Sequence, residues 1–270
     1  MGDSPRVLRA AGLTAAITGP LEDLGDVELP PLVADSTQGN AKNLDFFVKA
    51  TDLIYEAVGR VADGKVLLVG GECSGTVGSL AGLGKVFPGK PGMLWLDSHG
   101  DFNTPESSPS GYIGGMCLAM ACGRGPKLSN VIEAARPVLT EERLVHVGSR
   151  ALDDPEVVAF NSSPAKLFTS QHVKSRGAGE VAPEAARHLA NRSDWIVCHL
   201  DVDVVDPSII PAVSYPAPGG LGLDEVAEFI KALQLTQKLK VVELAAYNPS
   251  LDRDGSSSRT ILELLRQIYG

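Results

Sequence analysis

Six short apolar runs, at 65–69, 93–97, 143–148, 166–169, 195–201 and 239–245, are rich in valine, leucine and isoleucine and lack polar alternation. A strand with one wet face alternates apolar with polar residues, so runs like these belong to strands buried on both faces. Between them lie helical patterns at 44–61, 76–87, 182–190, 224–234 and 257–268. Strand–helix alternation predicts a parallel sheet covered on both sides. The expected fold class is α/β: a three-layer α/β/α arrangement with a mostly parallel sheet. No internal repeat or low-complexity linker divides the 270 residues, so a single domain over 1–270 is expected.

Ligands of open parallel sheets bind beyond the carboxyl ends of the strands. The run 93–97 leads into "DSHGD", and 195–201 leads into "DVD". Residues two apart in an extended segment share a face. Asp97, His99 and Asp101 are therefore expected to point one way, and Asp201 and Asp203 to point together. Four clustered carboxylates repel unless positive charge sits between them. Two divalent cations would supply it, and carboxylates with imidazole suit Mn²⁺, Zn²⁺ or Fe²⁺, the many oxygens favouring Mn²⁺. The competing reading makes these acids helix caps and turn formers. Two segments dense in Pro, Gly and Ser, 102–115 and 206–222, read as loops near the same strand ends.

The stretches "DSHGDFNTPESSPSG" and "HLDVDVVDPSIIPAVSYPAPGGL" resemble the two main signatures of the ureohydrolase superfamily, which includes arginase, agmatinase and formiminoglutamase. "GGECS" stands where that family has Gly-Gly-Asp-His-Ser, and "AAYNPS" matches its Glu-Val-Asn-Pro-Ser segment. The resemblance covers nearly the whole chain. It implies a hydrolase of guanidino C–N bonds that binds two Mn²⁺ ions and attacks the amidino carbon with a bridging hydroxide. It also implies roles: Asp97 and Asp201 as bridging ligands, His99 and Asp203 on the second metal, and Asp101 on the first, where it also orients the hydroxide. Asn103 and Ser110 would hold a substrate α-carboxylate, Asp153 an α-amino group, and Glu243 is carried over as a substrate-side acid. Relatives are often trimers or hexamers.

Three departures from the family pattern stand out. Cys73 replaces the histidine that completes the first metal's shell, and a thiolate is a soft partner for a hard ion, so a weak or empty first site is expected. Gly114 stands where arginases carry a proton-shuttling histidine. Ala246 replaces the glutamate that pairs with the guanidinium. A branch in cycloserine biosynthesis resembles this pattern, with cysteine for the first histidine, and hydrolyses Nω-hydroxy-L-arginine to ornithine and hydroxyurea. That reaction is the leading expectation. The alternatives are another guanidino substrate or a catalytically impaired family member that binds or regulates.

The segment 71–75 also reads as Gly-x-Cys-x-Gly, the pattern of a cysteine nucleophile on a strand-to-helix turn, and Cys73 could equally be a small buried side chain. A phosphate loop is disfavoured because the Lys-Ser/Thr ending is missing. Cys117, Cys122, Cys198 and His146 are expected in the core, His199 in the core or supporting a ligand, and Arg150 paired with a neighbouring acid. The net charge of −9 argues against nucleic acid and anionic membrane surfaces. Four cysteines in this length form no disulfide framework, and neither a signal-like start nor a membrane-length apolar run is seen. A cytoplasmic enzyme of a small guanidino compound is expected.

Overall fold

The computed structural model describes residues 1–32 and 39–270. Its strands are β1 (Val66–Val69), β2 (Pro91–Leu96), β3 (Leu144–Val147), β4 (Lys166–Phe168), β5 (Trp195–Asp201) and β6 (Leu239–Ala245). They form one sheet in the order β1-β6-β5-β2-β3-β4, and every pairing is parallel. The central strands are buried throughout apart from Pro91 in β2 and Lys240 in β6, as unalternating runs require.

Two cores flank the sheet. On one side α1 (Ser4–Ala10), α8 (Ala178–Ala190), α9 (Leu223–Leu235) and α10 (Ser256–Tyr269) pack their apolar stripes against Leu94, Leu96, Cys198, Leu200 and Leu244. On the other, α2 (Leu44–Val58), α3 (Thr76–Val86), α4 (Cys117–Ala121) and α5 (Asn130–Ala135) cover Met93, Trp95, Val197 and Val241. The helices α6 (Asp154–Asn161) and α7 (Ser170–Arg176) follow β3 and β4. The expected three-layer fold is therefore observed, with a sheet that is parallel throughout.

The strand order places a topological switch. From β2 the chain moves outward through β3 to β4, then returns to β5 on the other side of β2 and continues to β6. Loops leaving β2 and β5 therefore diverge and open a crevice between them. The register Leu96↔Leu200 brings Asp97 and Asp201 side by side at its mouth.

Helix ends differ from expectation for local reasons. The pattern at 182–190 begins four residues earlier, at Ala178, because Gly177 takes a positive φ of 87° and starts the helix ahead of Pro183. The helix from Leu44 stops at Val58, three residues short of the expected end, with Gly59 as its cap.

Candidate metal and substrate site

A cleft of about 310 Å³ opens at the β2/β5 switch. Its walls carry Glu72, Asp97, Asp101, Asp153, Glu156, Asp201 and Asp203, and among the described residues no lysine or arginine lines it. Among the described residues the basic side chain there is His99.

Expected ligands gather in two groups whose donor atoms lie within 4.8 Å of one another: Cys73 with Asp97 and Asp101, and Asp97 with His99 and Asp203. Asp97 belongs to both. Asp201 falls outside these tight groups, but its Oδ2 lies 3.0 Å from Cys73 Sγ, which donates to it. The local route differs from simple strand parity. β2 ends at Leu96, and Asp101 takes a left-handed φ of 49°, so a turn rather than an extended segment aims Asp97 and Asp101 together. Asp203 likewise sits in the short helical turn Val202–Val204, where its N–H donates to Asp201 Oδ1 at 2.7 Å.

Backbone and indole donors hold the acids in place. Trp95 Nε1 donates to Asp97 Oδ2 at 2.9 Å, His99 N donates to Asp97 Oδ1 at 2.7 Å, and Ser98 N donates to Asp203 Oδ1 at 3.1 Å. His99 Nδ1 is 3.1 Å from Asp203 Oδ2.

Electrostatics show what the cluster lacks. Burial, followed by neighbouring carboxylates, pushes Asp97 up and drives Asp101 and Asp201 well above the ordinary carboxyl range. Burial also raises Asp203, but its bonds to His99 and Ser98 outweigh that and leave it low. Burial opposes the charge on His99, yet Asp203 and Asp97 hold its pKa up at about 11. One imidazolium cannot balance four buried carboxylates. Divalent cations fit the donor set: the His99 group offers the oxygen and imidazole donors such ions take. The Cys73 group fits less well, since burial and then the charges of Asp201, Asp101 and Asp97 push its thiol well above the usual range. When bound, divalent cations would polarise the substrate and lower the pKa of a bound water.

On the substrate side, Asn103, Ser110 and Asp153 all line the cleft. Asn103 is buried, and its Nδ2 donates to Asp153 Oδ2 at 2.9 Å. Asp153 also caps α6 through a reciprocal box with Glu156. Ala246 lines the cleft with a left-handed φ of 65°.

Glu243, carried over as a substrate-side acid, does not line the cleft. The sheet register sets it beside His199. Its carboxylate accepts from Thr76 Oγ1 at 2.7 Å and Ser79 Oγ at 3.1 Å, and lies 2.9 Å from His199 Nδ1. His199 in turn stacks on Trp95 with centroids 3.8 Å apart. Arg150 also departs from expectation: instead of an acid it grips backbone carbonyls, those of Ala217 at 2.9 Å and Asp203 at 2.6 Å among them, tying the loop 206–222 to the strand ends. Cys117, expected in the core, is buried but has its Sγ 3.4 Å from Asp101 Oδ2.

Four lining residues with ionisable side chains escaped the sequence reading: Glu72, Tyr112, Glu156 and Tyr215. Glu156 accepts from Phe102 N and Asp153 N, both at 2.9 Å. Its carboxylate lies 2.6 Å from where a Cβ on Gly100 would fall, so a larger residue there would displace it. The Asp-x-x-Glu spacing of 153–156 is a helix-start signature that could have found it.

The parallel α/β fold and the two adjoining ligand groups at its switch point suit a metal-dependent hydrolase. A family profile described as the arginase family matches residues 4–270. The chain belongs to the arginase family. It is 32% identical to the arginase of Bacillus caldovelox over 98% of this chain and 91% of that protein, and 31% identical to the arginase of Bacillus subtilis over 93% and 84%. The solved Bacillus caldovelox arginase superposes with a TM-score of 0.90 at 30% identity, covering 99% of this chain and 92% of that one. No helix among the described residues is long and apolar enough to cross a membrane.

Proposed function

We propose that the chain hydrolyses Nω-hydroxy-L-arginine to L-ornithine and hydroxyurea with two Mn²⁺ positions, the one beside Cys73 being the weaker. The observation that carries this reading is Ala246. It lines the cleft at the place where the family resemblance puts a carboxylate against the guanidinium. The arginine guanidinium stays charged at any working pH, and burying it unpaired is costly. An N-hydroxyguanidine is far less basic and enters such a cleft with a smaller penalty.

Within this reading Asn103 and Ser110 bind the α-carboxylate and Asp153 the α-amino group, which sets the amidino carbon over the acid cluster. Asp101 accepts a hydrogen bond from the attacking water and orients it. Gly114 offers no shuttle, so the leaving amine takes its proton from water or from the substrate's own N-hydroxyl. Such a leaving step suits a weakly basic guanidine better than arginine.

Steady-state kinetics on the Mn²⁺-loaded protein test the reading. Nω-hydroxy-L-arginine is expected to show the higher kcat/KM, and faster turnover of L-arginine would overturn it.

A further inference from the structure

Glu72 and Tyr112 form a pair in the cleft that none of the roles above uses. Tyr112 donates its phenol to Glu72 Oε2, and Ser74 Oγ donates to Glu72 Oε1 at 2.7 Å. The Tyr112 ring lies where a side chain at Gly114 would project: an added Cβ would stand 2.5 Å from its Cε1 and 2.9 Å from its hydroxyl. The ring also packs against Tyr215 at 5.7 Å. Both partners of the pair are half-buried and line the same cleft as Cys73, Asp101 and Ala246. Glu72 follows β1 and Ala246 follows β6, which is its neighbour in the sheet, with Val69 opposite Leu244. A carboxylate thus stands one strand away from the position where Ala246 offers none.

We propose that Glu72, held by Tyr112 and Ser74, is a specificity-determining residue that accepts the hydroxyl hydrogen of the substrate's N-hydroxyguanidino end. This rests on the function proposed above. Each oxygen of Glu72 already accepts one hydroxyl hydrogen bond, which spreads its charge and makes it a poor counter-ion for a full cation. The remaining lone pairs are free to accept a further O–H. A site built to bond a substrate hydroxyl discriminates strongly against the analogue without it, because its own polar group is then left unpaired.

The test compares wild type, Glu72→Gln and Tyr112→Phe, each checked for folding by circular dichroism. Steady-state kinetics are run with Nω-hydroxy-L-arginine and with L-arginine. Wild type should prefer the hydroxylated substrate. Glu72→Gln should lose about 10- to 100-fold in kcat/KM on that substrate, the worth of a charge-assisted hydrogen bond, while arginine moves by less than about 3-fold. Tyr112→Phe should shift the same ratio in the same direction by a smaller factor, and it serves alone if Glu72→Gln does not fold. A wild-type preference that both variants keep would overturn the role of Glu72 and leave the proposed function standing. A wild-type preference for arginine would overturn both.

Discussion

The Sγ of Cys73 lies 3.0 Å from Oδ2 of Asp201, a contact made across strand ends that β6 separates. As a thiol, Cys73 donates to a carboxylate that the resemblance assigns to metal bridging. A neutral thiol competing for that oxygen, next to Asp97 and Asp101, is a poor partner for a hard cation. Cys73→His removes the thiol and offers imidazole. After Mn²⁺ loading and desalting, wild type should retain roughly one ion per chain and the variant nearer to about two, by elemental analysis. Equal metal content in the two proteins would place Cys73 outside the first site.

Trp95 holds Asp97 from beneath through its indole N–H at 2.9 Å and stacks on His199. Trp95→Phe keeps most of the apolar contact and removes the donor. A stability loss of about 1–3 kcal/mol follows from leaving a buried acceptor short of a partner. Metal affinity should fall about 10- to 100-fold, because partners of ligating carboxylates set their aim. Mn²⁺ titration calorimetry on the purified variant measures this directly.

Glu243 belongs to the core network rather than the cleft. Glu243→Ala removes the buried acceptor that Thr76, Ser79 and His199 share, leaving them only the weaker contacts among themselves. The expected cost is about 3–5 kcal/mol, seen in urea unfolding, with KM close to the wild-type value. A rise in KM of about tenfold or more without loss of stability would instead return Glu243 to the substrate.

Asp206 fastens the loop that carries Tyr215 to the cleft. Its carboxylate accepts from Ser208 N at 3.0 Å, Ser208 Oγ at 2.6 Å, Gly219 N at 2.8 Å and Gly220 N at 2.9 Å. These bonds lower its pKa from 3.8 to about 2. Between those values the unfolded chain binds the proton more readily than the folded one, so stability rises with pH there. The contribution is complete above about pH 4 and is lost as pH falls through about 2. Asp206→Ala should lower the melting temperature at neutral pH by about 2–4 °C and weaken the acid sensitivity of the remainder. Calorimetry across pH 2–5 on both proteins checks the slope.

Much of this architecture was readable because apolar runs and strand-end acids are local signals. β5 and β6 match their expected limits to the residue, and each run is preceded by a charged residue, Asp194 and Lys238. β2 starts two residues early because Pro91 and Gly92 read as breakers, whereas proline is tolerated at the first residue of a strand. Helices as short as Cys117–Ala121 leave too little periodicity to detect and exist through burial between larger elements. In the site, ligands on one turn could be found by spacing. Glu72, Tyr112 and Tyr215 could not, because three separate loops bring them together and no sequence interval links them. Glu243 was misplaced because its nearness to "AAYNPS" suggested the cleft, while the strand register gives it His199 as a neighbour.

The crowding of Tyr112 against Gly114 constrains the route by which such a cleft could change its chemistry. Any side chain introduced at 114 meets the phenol ring before it meets solvent. A histidine introduced at 114 would push the Tyr112 ring aside, and that movement would loosen its hold on Glu72. The two positions are therefore epistatic.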